Sequence, residues 1–125
     1  MSNDIILDQL INVVKAIGID IEDMDKNISL SLVENGNILK QIDKKYHYYF
    51  LDLLMYIQND KVKKLLCIND GIIFEDTLEV CTLNLDRYKQ VKILEIILNY
   101  KEKIKYNINI DLMYSSMMIE IGKVR

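Results

Sequence analysis

Residues 104–112 read Ile-Lys-Tyr-Asn-Ile-Asn-Ile-Asp-Leu, with apolar side chains at Ile104, Tyr106, Ile108, Ile110 and Leu112 and polar ones between. An unbroken period of two puts one side-chain type on each face of a pleat, so the pattern predicts a half-buried β-strand. Residues 3–17 carry a different period. Ile6, Leu7, Leu10, Ile11, Val13, Val14 and Ile17 form one broad helical stripe, with Asp4 and Asp8 near its start and Gly18 placed just past its end. An acidic loop follows, and Ile28–Val33 alternates again. Asn35-Gly36 then separates that run from Ile38–Ile42, and Asn-Gly between two apolar runs predicts a hairpin with a type I′ turn.

The stretch from Tyr46 to Ile68 carries two signals. Tyr46, Tyr49, Phe50, Leu53, Leu54 and Ile57 have helical spacing, while Tyr48–Ile57 is also apolar enough for a buried strand; its length favours helix. Ile72–Phe74 and Thr77–Leu85 read as a second strand pair. Asp86 can cap a third helix from Arg87 to about Lys101, and Met117–Val124 reads as a last strand. The expectation is an α+β fold in which three amphipathic helices alternate with antiparallel β-hairpins, as a single small domain over residues 1–125. The alternative is an all-α helical bundle or repeat.

Composition narrows the function. The net charge is −3 and the pI about 5.1. Basic residues are interleaved with acids, as in Asp60-Lys61 and Lys101-Glu102-Lys103, which argues against a nucleic-acid surface. No run approaches the ~20 apolar residues of a membrane span, and no basic segment precedes the first apolar stretch, so no membrane partner and a cytoplasmic location are expected. Cys67 and Cys81 match no zinc spacing and are expected as buried free thiols. The chain holds 21 Ile, 14 Lys and 11 Asn, types that share AT-rich codons, which points to an AT-rich genome.

Candidate chemistry is sparse. His47 is the only histidine and the natural general base near pH 7, with the acidic loop Asp20, Glu22, Asp23 and Asp25 as possible company. It has no Ser or Cys at a motif spacing. The acidic loop fails the calcium-loop pattern: from Asp20 the fifth position is Met24, and from Asp23 the sixth is Ile28 rather than Gly. Neither metal, cofactor nor catalytic residue is expected.

Three resemblances bear on the fold. Gly18-Ile19-Asp20 after an amphipathic helix resembles an acyl carrier protein, but Asn35-Gly36-Asn37-Ile38-Leu39 offers no Ser for a prosthetic arm. Lys61–Leu66 and Gln90–Leu94 resemble the second helix of ankyrin repeats, with Val124 placed 33 residues after Val91, although the Thr-Pro-Leu-His entry is missing. The order of elements over residues 3–102 is similar to class I chaperones of type III secretion, which implies a homodimer that holds an unfolded effector segment in apolar grooves.

Eight Tyr and six Met are in excess of what chemistry requires, and both types suit adaptable interfaces. The expected function is therefore a non-enzymatic protein-binding module, such as an inhibitor, adaptor or secretion-type chaperone, with another protein as partner and a possible homodimer. Tyr46, Tyr48, Tyr49, Tyr106, Tyr114 and Met117 are the candidate partner-binding residues. The alternative functions are a small ligand-binding or enzymatic domain built on His47 and the acidic loop, and a degenerate ankyrin-like repeat.

Overall fold

The computed structural model describes residues 3–106 and 108–125. It is all-helical: no strand occurs among the described residues, so the α+β expectation is overturned and the all-α alternative holds. The elements are α1 (Asn3–Ile21), α2 (Ile28–Asn35), a 3-10 turn (Asn37–Lys40), α3 (Lys44–Leu65), α4 (Glu75–Val80), α5 (Arg87–Lys103) and α6 (Ile110–Val124).

Each supposed strand fails for a local reason. Ile28–Val33 is helix α2: Asn27 caps it by accepting from the Leu30 N–H at 3.0 Å, and Leu30 turns out to solvent while Ser31 turns in. Gly36 has φ −97°, so there is no type I′ turn; that glycine ends α2, and its N–H donates to the Leu32 carbonyl at 2.7 Å. Ile72–Phe74 is a loop, and Thr77–Leu85 holds the end of α4 and the approach to α5. The 104–112 run splits. Ile104 is buried at the end of α5, Tyr106 and Leu112 are exposed, and Asn109 is the N-cap of α6, accepting from the Leu112 N–H at 3.0 Å. Asn107 lies outside the described residues. Met117–Val124 is α6, and Tyr48–Ile57 is the middle of α3. The strands expected from the resemblance to secretion chaperones are therefore absent among the described residues, while Lys61–Leu66 is the last turn of α3 with its C-cap and Gln90–Leu94 lies within α5.

Five helices close a circuit in which α1 packs on α3, α3 on α5, α5 on α6, α6 on α2, and α2 on α1. Leu10, Val14 and Ile17 of α1 meet Phe50, Leu51, Leu54 and Ile57 of α3, Ile93 and Ile97 of α5, and Met117, Met118 and Ile121 of α6 in one core. Burying each such side chain stabilises by roughly 1.5–3 kcal/mol. The helix α1 expected over 3–17 runs on to Ile21, with Gly18 inside it rather than past its end.

One direction in this circuit matters for function. The Tyr46 hydroxyl donates to Asn3 Oδ1 at one end of the α1–α3 pair, and Lys61 Nζ donates to the Gly18 carbonyl at the other. The two helices therefore run parallel. By contrast, α3 and α5 are antiparallel, tied by Tyr48 to the Ile104 carbonyl and by Gln58 to Gln90.

Candidate interaction surface

The parallel seam of α1 and α3 leaves a furrow on the outside of the bundle. On α3 the residues Tyr46, Tyr49, Leu53 and Tyr56 follow the spacing i, i+3, i+7, i+10, which places them along one face. On α1 the matching residues are Leu7 and Ile11. Together with Asn3, Lys45 and Asp52 they line an open groove of about 430 Å³. A second groove of about 350 Å³ continues it, because Ile11 and Leu53 line both. The continuation is walled by Lys15 and by residues Ile72–Thr77 ahead of and within α4. We call the Asn3–Tyr46 end the head and the Ile72–Thr77 end the tail.

The tail wall is fixed by a buried carboxylate. Oδ2 of Asp60 accepts from the backbone N–H of Ile73 at 3.0 Å and of Phe74 at 2.7 Å. Burial pushes the Asp60 carboxyl above its ordinary pKa, and those two N–H bonds and the Lys63 charge pull it back. A loop that would otherwise present unsatisfied backbone to the core is held against α3.

A second buried polar cluster lies behind it. Glu22 accepts from Lys61 Nζ at 2.9 Å, from Gln90 Nε2 at 2.9 and 3.0 Å, and from the backbone N–H groups of Asn84 and Leu85 at 2.9 and 3.1 Å. Lys61 is fully buried and gives a further bond to the Gly18 carbonyl at 2.6 Å. Desolvation lowers the Lys61 pKa, and Glu22 offsets part of that. The cluster joins the end of α1, α3, the entry to α5 and α5 itself. Its donors and acceptors are spent on one another, which is the pattern of a structural tie.

The sequence-predicted residues scatter. Tyr46, Tyr114 and Met117 are buried in the core. Tyr48 is half-buried and donates to the Ile104 carbonyl at 3.3 Å. Tyr106 is exposed beyond the end of α5. Only Tyr46 and Tyr49 come together at the furrow, with ring centroids 5.9 Å apart in an edge-on arrangement. Leu7, Ile11 and Leu53 belong to the helical stripes that the sequence shows, and Tyr56 carries no sequence signal of its own.

His47 is buried, with Nδ1 2.7 Å from the Tyr114 hydroxyl. Burial lowers its pKa, and the Asp111 charge acts the other way. Its partner in the pairing is a tyrosine whose own pKa burial pushes well above the ordinary value. The acidic loop lies elsewhere. Glu22 bonds to Lys61, fourteen residues along α3 from His47, a separation of about 21 Å at the helical rise. Asp20 accepts from the Ser31 hydroxyl at 2.6 Å. Cys67 is exposed and Cys81 half-buried, against the expectation of two buried thiols, and neither is in a disulfide.

Among the described residues no group of three or more His, Cys, Asp and Glu is placed to hold a metal ion, and no helix is long and apolar enough to cross a membrane. No family model, curated protein or solved structure matches the chain.

Proposed function

We propose that the chain is a cytoplasmic, non-enzymatic protein-binding module, of the adaptor or inhibitor kind, that docks a partner along the α1–α3 furrow. The observation that carries this reading is the continuity of the furrow: a mainly apolar groove meets a second groove of mixed polarity, and Ile11 and Leu53 line both. Exposed aromatic residues beside an aliphatic floor are what interface hot spots use, since Tyr gives large contact area with few rotors to freeze. The exposed thiol of Cys67 suits a reducing compartment.

The test is a paired substitution. Tyr56→Glu and Leu53→Glu put a charge in the furrow, whereas Tyr88→Glu alters an exposed tyrosine on α5 that does not line it. Partner recovery on the tagged chain is expected to fall with the first two and to persist with the third. Equal recovery from all three would overturn the reading.

A further inference from the structure

We propose that the furrow face closes against the same face of a second copy of this chain, in a two-fold dimer whose axis crosses the furrow at Ile11 and Leu53. The inference rests on reading the furrow as a docking surface. It names what docks.

The head carries Lys45 beside Asp52, whose carboxylate is taken by Lys101, and the tail carries Lys15 with Glu75 and Asp76. A two-fold axis across the furrow reverses its direction, so the head of one copy meets the tail of the other. It keeps α1 on α1, antiparallel about Ile11. Asp8 and Lys15 are seven residues apart and so share a helical face, and Lys15 lines the tail. The antiparallel crossing brings Asp8 of each copy to Lys15 of the other. At the same time Lys45 at the head comes to Glu75 and Asp76 at the tail. None of Asp8, Lys15, Lys45, Glu75 and Asp76 has an ion-pair partner within its own chain among the described residues.

Shape follows the same rule. Tyr49 stands 46% exposed at the head and Ile73 stands 60% exposed at the tail. Head-to-tail docking sets Tyr49 toward the apolar Ile72–Phe74 part of the second copy's tail and Ile73 toward its tyrosine-lined head. A second copy carries this charge order already.

Sedimentation of the purified full chain tests this. The wild type is expected to be a dimer. Lys15→Asp sets like charges opposite each other and is expected to weaken the dimer about tenfold or more, equivalent to about 1.4 kcal/mol. The exchange Asp8→Lys with Lys15→Asp restores the complementarity and is expected to return most of that loss. Tyr49→Lys is expected to dissociate the dimer, with circular dichroism showing the helices intact. A wild type that stays monomeric at every concentration tested would overturn the proposal. So would a dimer indifferent to Lys15→Asp, or an exchange that fails to restore it. A monomer that still loses an unrelated partner on Leu53→Glu would leave the furrow reading standing with a different occupant.

Discussion

The carbonyl oxygen of Gly18 accepts from Lys61 Nζ at 2.6 Å, tying the end of α1 to α3. A Cβ at that position would lie 2.6 Å from Cδ1 of Ile57. The glycine thus leaves room for the Ile57 side chain where α1 meets α3. Gly18→Val is expected to lower stability by about 1–3 kcal/mol through overpacking. Combining it with Ile57→Val should cost less than the two changes summed, read by chemical denaturation.

Lys61 and Glu22 form a buried ion pair. Removing one member of such a pair costs about 3–5 kcal/mol because the other charge is left in the core. Lys61→Met is expected in that range. The double variant Lys61→Met with Glu22→Gln is expected to be less costly than the sum, since no unpaired charge remains. Additive losses in urea would show that the two side chains act independently.

Asp60 anchors the tail through the Ile73 and Phe74 N–H groups. Asp60→Ala leaves both without that acceptor, at about 1–3 kcal/mol each if they stay buried. Amide hydrogen exchange at Ile73 and Phe74 should accelerate, with the core of α1 unchanged, and binding through the furrow should weaken in step.

Acid sensitivity is expected from His47. Burial holds its folded pKa below 6.5, so below that pH the unfolded chain takes up a proton that the folded chain resists. This contribution to stability is fully present above about pH 6.5 and is lost as the pH falls toward the folded value, at up to about 1.4 kcal/mol per pH unit. His47→Gln should flatten that part of the stability curve. A curve unchanged by the substitution would exclude His47 as its source.

Cys67 has φ 59°, a left-handed conformation that L residues adopt at a cost. It follows the end of α3, where its N–H donates to the Lys64 carbonyl and the Ile68 N–H to the Lys63 carbonyl, a helix stop that favours glycine. Cys67→Gly is expected to raise stability by about 0.5–1 kcal/mol in thermal or urea unfolding.

The helices that the sequence made legible were those with long apolar stripes, α1 and α5, together with the Asp86 cap, whose carboxylate accepts from the Lys89 N–H at 2.9 Å. What misled was short alternation. Ile28–Val33 and Ile104–Leu112 have a period of two, yet a strand also needs a neighbour to take up its backbone bonds, and neither run has one. Their polar positions do other work: Ser31 bonds to Asp20, and Asn109 caps α6. The furrow was half legible. The helical spacing of Tyr46, Tyr49 and Leu53 is visible in the sequence, but which side of α3 faces solvent depends on α1 lying parallel beside it, and no local pattern encodes that packing.

The most direct test of the docking surface is photocrosslinking. A photoreactive phenylalanine analogue replaces Tyr56 in the furrow, and in a separate chain replaces Tyr88 on α5, both in the native host. The account predicts a discrete adduct from position 56 and none from position 88, with twice the mass of the chain if a second copy is bound. An adduct of the chain with another protein would keep the furrow and reject the dimer. No adduct from position 56, or the same adduct from both positions, would contradict the furrow as the site of binding.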